Sequence, residues 1–188
     1  MKELEERISK EGIVLGHDIL IVGSFLNQQV DTVLLKHMAL EVKRLFPEEI
    51  TKVLTIEASG LPFATAIGLE LNVPVVFAKK SKTANVSGDL AVAKVHSYTH
   101  NCTNLIYTNK DYITRDDKVL IADDFLAEGS ASAGLIEIVK QCGGKIVGVA
   151  IQVEKAYQSG GDKIRALGYR VESLARIVEM TENKIVFK

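Results

Sequence analysis

The chain has 188 residues, and its 23 Lys and Arg residues nearly balance its 24 Asp and Glu residues, for a net charge of −1. Hydrophobic residues make up 47% and charged residues 25%, a globular rather than a disordered composition. The balanced charge argues against binding to a nucleic-acid backbone, and no uncharged stretch is long enough for a membrane span. The charged N-terminus does not resemble a signal peptide, and two cysteines are too few for a disulfide framework. We therefore expect a single cytoplasmic domain over residues 1–188, with no nucleic-acid or membrane partner.

The N-terminal quarter is predicted to contain two helices and one short strand. Residues 2–11 carry apolar side chains at helical spacing and are followed by Gly12, which suits the end of a helix. Residues 19–22 are predicted as a short strand. The helix over 31–46 has the clearest pattern, because Pro47 follows it and five apolar residues share one face: Leu34, Leu35, Met38, Val42 and Leu45.

From residue 52 onward, short apolar strands alternate with helices. The strands are predicted at 53–56, 75–78, 119–122 and 146–153, with weaker candidates at 105–108, 171–174 and 184–187. Helices are predicted at 62–71 and 130–142. This alternation predicts an α/β fold in which helices cover both faces of a mostly parallel sheet. Ligands of such sheets bind beyond the carboxyl ends of the strands.

The most informative segment is 119–134, where an apolar strand leads into Asp123, Asp124 and a short loop before a helix. Backbone N–H groups at the start of that helix, with Ser130 and Ser132, form a natural cradle for a phosphate. The two carboxylates would suit a ribose diol or a bound Mg²⁺ beside that phosphate. A solvated turn followed by an ordinary helix cap is the alternative interpretation. Neither G-x-x-x-x-G-K-[ST] nor G-x-G-x-x-G is present, which argues against a nucleoside triphosphate or a dinucleotide.

Segment 119–132 resembles the motif that binds 5-phosphoribosyl 1-pyrophosphate (PRPP) in type I phosphoribosyltransferases. The resemblance extends over nearly the whole chain and is strongest for the bacterial enzymes that use xanthine. The other matching segments are SFLNQQ (24–29), TIEASG (55–60), VPVVFAKK (73–80), EKAY (154–157) and GYRVESLA (168–175). The resemblance implies a type I phosphoribosyltransferase fold, with a hood mainly from residues 1–30 and the C-terminal strands. It also implies a mobile flap at about 81–104, for which an ordinary hairpin is the alternative.

The resemblance further implies an activity: transfer of the phosphoribosyl group from PRPP to N9 of xanthine, giving XMP and pyrophosphate in purine salvage. Asp123 and Asp124 would approach the ribose hydroxyls, with Mg²⁺ bound together with PRPP rather than by direct protein ligands. The residues implied for the 5′-phosphate are Ala127, Glu128, Gly129, Ser130 and Ala131. Those implied for pyrophosphate are Ala58, Ser59, Gly60, Lys79 and Lys80. One of the two lysines is expected to reach a neighbouring subunit in a homodimer.

Base recognition is assigned by the resemblance to Leu20, Asn27 and Lys155. The Lys155 ammonium, after a predicted strand, can donate to the 2-oxo group that distinguishes xanthine from hypoxanthine. The Asn27 amide can both donate and accept hydrogen bonds. Leu20 would form an apolar wall, although by residue type alone it is predicted to be a core residue.

Two positions depart from the commoner phosphoribosyltransferase pattern. Glu128 places a carboxylate where a phosphate is expected, so we expect its side chain to point outward. Ala127 stands where the hypoxanthine and guanine enzymes have a carboxylate near the purine N7, so no general base is assigned. Two alternatives stay open: a non-catalytic PRPP-sensing purine regulator, and a phosphoribosyltransferase for another base such as guanine, adenine or orotate.

Overall fold

A six-stranded sheet forms the centre of the protein. The computed structural model describes residues 1–16, 18–81, 88–97 and 102–188. With strands numbered in chain order, the sheet contains, from one edge to the other, β10 (Lys184–Phe187), β9 (Val171–Thr181), β8 (Lys145–Lys155), β7 (Lys118–Leu126), β3 (Lys52–Ile56) and β4 (Val75–Ala78). Neighbouring strands are parallel except for β10 and β9. The carboxyl ends of β3, β7 and β8 therefore meet at one edge of the sheet.

Helices cover both faces of the sheet, and each face has its own apolar core. The first core includes side chains from α1 (Lys2–Glu11), α2 (Thr32–Leu45) and α3 (Leu61–Leu71). The second includes side chains from α4 (Ser130–Cys142) and α5 (Gly160–Ala166). Along β7, Leu120 and Ala122 enter the first core while Val119 and Ile121 enter the second, because successive strand side chains point to opposite faces. The predicted α/β arrangement is confirmed.

A small hairpin follows α1 at the N-terminus. Its strands, β1 (Ile13–Leu15) and β2 (Ile19–Ile21), pair antiparallel. Val14 and Leu20 point into the first core, whereas the alternate side chains of the hairpin are exposed: Ile13, Leu15, Ile19 and Ile21. A π-helical turn over Gly23–Asn27 comes next and is anchored by the buried side chains of Phe25 and Leu26.

A second hairpin pairs β5 (Leu90–Ser97) with β6 (Cys102–Asn109) and packs on α4. The packing is close, since a Cβ added to Gly134 of α4 would lie 2.6 Å from Val95 Cγ2. The hairpin also joins the main sheet, where the backbones of Lys79 and Tyr107 exchange two hydrogen bonds of 2.9 Å. The predicted flap at 81–104 falls partly outside the described residues, and its described part belongs to this hairpin.

The predicted bounds of α4 and β10 are confirmed. Several described strands are longer than predicted: β7, β8 and β9 continue past residues 122, 153 and 174, and β6 extends beyond 105–108 at both ends. Among the described helices and strands, β1 and α5 were not predicted, whereas β5 lies where an ordinary hairpin was the alternative to a flap. Within the described residues, no helix is both long enough and apolar enough to span a membrane.

Candidate active site

The ends of β3 and β7 bring a small turn against the aspartate pair. Ser59 Oγ donates a hydrogen bond of 3.0 Å to Asp124 Oδ1, across 65 positions of sequence. The neighbouring Gly60 leaves no room for a side chain, because an added Cβ would lie 2.2 Å from Thr55 Oγ1 and 2.8 Å from Asp123 Oδ1. The segments that the sequence predicts for pyrophosphate and for ribose are therefore in direct contact.

Asp123 and Asp124 are buried inside β7, with exposed fractions of 3% and 8%. The strand continues through them to Leu126, whereas the sequence predicts that it ends before them. Burial, and then the charge of Asp124, raises the pKa of Asp123 well above its usual range. The backbone N–H of Asp124 donates to Asp123 Oδ1 at 3.0 Å. Two adjacent buried carboxylates, of which Asp123 has a raised pKa, are typical of a functional site.

The loop after β7 turns directly into α4. Gly129 has a φ of +84°, a conformation that glycine adopts readily, and α4 begins at Ser130. Ser130 Oγ accepts a hydrogen bond of 2.7 Å from the backbone N–H of His96, which ties the second hairpin to the start of the helix. Ser132 is 1% exposed, and its hydroxyl has no hydrogen-bond partner within the described residues. The free N–H groups of a helix N-terminus and a buried unpartnered hydroxyl together suit an anion.

These features surround one pocket of about 460 Å³. Most of the residues predicted to bind PRPP line it, namely Ser59, Lys80, Asp123, Asp124, Ala127, Glu128, Gly129, Ser130 and Ala131. Lys79 instead lines a different cavity, because consecutive residues of an extended chain point to opposite sides. Ala58 lines a groove between α2 and α3, and Gly60 is buried behind the pocket.

Cavity size alone does not identify the site. A cavity of about 480 Å³ lies at the β4 edge of the sheet and is lined by residues that include Lys52, Phe77 and Tyr112. Its lining residues do not include the buried aspartates or the start of α4, which converge on the other pocket. We therefore identify the candidate active site by the aspartate pair and the start of α4, which line only one of these two cavities of similar volume.

Lys155 is the last residue of β8 and lies beside the N-terminal hairpin. Its ammonium donates a hydrogen bond to the backbone oxygen of Asp18 and lies 5.9 Å from the centre of the Phe125 ring. Burial lowers the pKa of Lys155, and the charge of Asp18 offsets this in part. Phe125 also lines the pocket. This ring, which the sequence analysis did not single out, therefore connects the pocket to Lys155.

The other two residues assigned to the base occupy different environments. Leu20 is 8% exposed, and its Cδ1 would lie 3.2 Å from a Cβ added to Gly12, so its side chain packs in the core beside the end of α1. Asn27 is exposed at the end of the π-helical turn. Neither residue lines the pocket that contains the aspartate pair.

A buried ion cluster lies next to Lys155, and sequence reasoning missed it. Glu154 is 1% exposed and accepts two hydrogen bonds of 2.8 Å from Arg165, one to each carboxylate oxygen. Ser173 Oγ donates to Glu154 Oε2 at 2.5 Å, and Arg176 Nε donates to Oε1 at 3.3 Å. Burial raises the pKa of Glu154, but the hydrogen bonds from Arg165 and Ser173 outweigh it, so the pKa lies below its usual range. The cluster fixes α5 to the end of β8 and to β9.

Solved structures of phosphoribosyltransferases share the fold of this chain. The adenine phosphoribosyltransferase of Giardia lamblia, complexed with 9-deazaadenine, superposes with a TM-score of 0.76 at 21% identity, covering 92% of this chain and 97% of that one. The adenine phosphoribosyltransferase of Rhodothermus marinus gives a TM-score of 0.75 at 20% identity, covering 94% and 100%. At this identity the likeness shows the fold alone. It confirms the predicted type I phosphoribosyltransferase fold.

Sequence comparison makes the assignment more specific. The family model for the phosphoribosyl transferase domain matches residues 22–184. A xanthine phosphoribosyltransferase of Limosilactobacillus reuteri is 46% identical over 188 residues, which is 100% of this chain and 98% of the relative. One from Bacillus cereus is also 46% identical, over 100% and 95%. The chain therefore belongs to the phosphoribosyltransferase family and, within it, to the group of the bacterial xanthine phosphoribosyltransferases.

Proposed function

We propose that the protein transfers the 5-phosphoribosyl group of PRPP to N9 of xanthine in purine salvage. The bond from N9 to the anomeric carbon forms while the bond from that carbon to pyrophosphate breaks, and N9 gives up its proton. The products are XMP and pyrophosphate. The observation that carries the proposal is the meeting of Ser59, the aspartate pair and the start of α4 around one pocket. The full-length relatives supply the identity of the base.

The 5′-phosphate is assigned to the phosphate loop, defined as residues 127–131. The backbone N–H groups in the first turn of a helix are available to bind an anion, and the helix dipole favours negative charge there. The buried hydroxyl of Ser132 lines the same pocket and is available to donate. A dianionic phosphate would supply the acceptor that this hydroxyl lacks within the described residues.

The ribose is assigned to Asp123 and Asp124. Carboxylate oxygens can accept hydrogen bonds from a sugar diol. They can also accept hydrogen bonds from the water ligands of a Mg²⁺ ion that is bound by PRPP rather than by the protein. The donor set at the end of β7 therefore fits a magnesium ion that arrives with PRPP. Such an ion would neutralise charge on the departing pyrophosphate. Mg²⁺ stays a prediction.

Pyrophosphate departure is assigned to Ala58, Ser59, Gly60 and the lysine pair. Charge develops on the leaving group in the transition state, so fixed N–H groups and cations there stabilise it. Lys80 lines the pocket and is the cation assigned to the same subunit. Lys79 lies on the other side of the chain, so it is the lysine assigned to a neighbouring subunit. The homodimer and the cytoplasmic location stay predictions.

The base is assigned to the space between Phe125, Lys155 and the N-terminal hairpin. An aromatic ring suits the face of a purine. To donate to the 2-oxo group of xanthine, the Lys155 ammonium would exchange the Asp18 backbone oxygen for the base. Asn27 and Leu20 keep their assigned roles as an amide partner and an apolar wall of the hood. The second hairpin is the candidate flap, whose closure would exclude water from the reacting centre.

The decisive experiment is a purine panel with PRPP and Mg²⁺, in which nucleotide and pyrophosphate are both measured. We expect XMP formation to exceed GMP, IMP and AMP formation clearly. A preference for guanine would move the assignment to another base within the same enzyme class. Binding of PRPP without turnover of any base would favour the regulator and contradict the proposed function.

A further inference from the structure

Glu128 is an acidic residue inside the phosphate loop, between Ala127 and Gly129. A carboxylate beside the 5′-phosphate would repel it. The structure shows where the side chain goes: Glu128 Oε2 accepts hydrogen bonds of 3.1 Å from Ser159 Oγ and 3.1 Å from Lys163 Nζ. The hydrogen bond from Lys163 lowers the pKa of Glu128, which keeps the carboxylate ionised and favours this ion pair.

Both donors belong to one short helix and its N-cap. Ser159 precedes α5 and Lys163 lies within it. At its first residue α5 touches the phosphate loop through its backbone, since the N–H of Gly160 donates to the oxygen of Ala127 at 3.0 Å. At its last turn Arg165 holds the buried Glu154. The two donors are therefore fixed relative to the loop on the side where α5 packs.

We infer that Lys163 and Ser159 are positioning residues that hold the Glu128 carboxylate away from the bound 5′-phosphate, so that an acidic phosphate loop can still bind PRPP. The inference rests on the proposed function, since it takes the loop as the phosphate site. It also accounts for the departure of this loop from the commoner pattern. Loss of the lysine releases the carboxylate, which then repels the ligand.

The test is the affinity for PRPP, measured by calorimetry with Mg²⁺, for the wild type, K163A, E128Q and the double variant. Two unit charges about 4 Å apart in water interact by about 1 kcal/mol, so K163A should weaken PRPP binding about fivefold. With E128Q already present, the penalty of K163A should disappear, because no carboxylate is left to release. S159A should show the same pattern with a smaller effect, and it provides a second route if K163A folds poorly.

A matched control is K145A, which removes the same charge from an exposed residue at the start of β8. Its affinity for PRPP should stay near that of the wild type. Equal weakening by K163A with and without E128Q would overturn the inference, because the lysine would then act on the phosphate itself. No weakening in the wild-type background would overturn it too.

Failure of this inference can be distinguished from failure of the proposed function. Wild-type protein that binds PRPP, shows the rescue by E128Q and uses no purine would keep the inference and refute the enzyme. Wild-type protein that makes XMP without the rescue would keep the enzyme and refute the inference. Failure of the wild type to bind PRPP would overturn both.

Discussion

Gly160 packs against the backbone of the phosphate loop, and replacing it by alanine should displace that loop. An added Cβ would lie 2.2 Å from Ala127 O, 2.4 Å from Gly129 N and 2.5 Å from Glu128 C, whereas ordinary contact begins at 3.4 Å. All three atoms belong to the backbone, so no side chain can rotate away. The loop and the start of α5 must separate by about 1 Å.

The expected loss follows from that displacement. A misplacement of about 1 Å can cost about 100-fold in rate, so kcat/KM for PRPP should fall about 100-fold in G160A. Overpacking of this kind costs about 1–3 kcal/mol, which lowers the Tm of a chain of this length by about 2–12 °C. The assay is XMP formation at varied PRPP and saturating xanthine, together with a thermal melt.

V42A provides the control for stability. Val42 is 1% exposed on α2, in the first core, and its truncation should also lower the Tm. Since it does not touch the phosphate loop, kcat/KM for PRPP should stay near the wild-type value at a temperature where both variants are folded. Wild-type kinetics in G160A would refute the reasoning, and so would an equal kinetic loss in V42A.

Three further predictions concern charged side chains at the strand ends. K155A should raise the KM for xanthine about 10- to 100-fold, because a hydrogen bond from a charged donor is lost. The affinity for PRPP should change little. Equal losses for both ligands would contradict the role of Lys155. D123N should abolish PRPP binding. It should nevertheless raise the Tm at pH 7 by about 2–4 °C. The reason is that the pKa of Asp123 is raised in the folded protein, so ionisation of this carboxyl lowers stability as the pH rises above the ordinary value of 3.8. A lower Tm would contradict this. E154Q should destabilise the protein by about 3 kcal/mol at neutral pH in urea unfolding, because it leaves Arg165 without its carboxylate. Since the pKa of Glu154 is lowered in the folded protein, the stabilisation is present above the ordinary value of 4.5 and is lost as the pH falls through the folded-state value. If the free energies of unfolding of the wild type and E154Q differed by the same amount at every pH, the assignment would be contradicted.

The elements that the sequence predicts well are those whose local pattern agrees with the tertiary structure. Helix α4 has predicted bounds because apolar residues recur at helical spacing and Gly143, with a φ of +83°, ends it. Helix α5 was missed because it starts with Gly160 and Gly161, and glycine is unfavourable in helices. Both glycines are needed for contacts outside the helix: an added Cβ would meet the phosphate loop at Gly160 and Glu154 at Gly161. Such contacts have no local signal in the sequence.

The strand lengths differ from prediction for a related reason. Polar residues usually mark the end of a buried strand, so β7 was expected to stop before Asp123 and β8 before Glu154. Both strands continue, because the carboxylates are held in the buried sheet, Glu154 by Arg165 and the Asp123 oxygen by a backbone N–H. Local rules fail most often where function requires an unfavourable side chain. The mismatch between predicted and observed strand ends falls at the candidate site.

The two neighbouring residues at the end of β8 have different assignments, Glu154 to stability and Lys155 to the base, because strand side chains alternate in direction. Successive side chains of a strand point to opposite faces, so Glu154 and Lys155 must diverge. Glu154 turns to Arg165 and fixes α5, whose first residue contacts the phosphate loop. Lys155 turns to Asp18 and the Phe125 ring, at the side assigned to the base. The sequence shows that the two side chains separate, but the partner of each depends on elements distant in the chain. A variant at Glu154 should therefore affect stability first and PRPP binding second, whereas one at Lys155 should affect the use of xanthine.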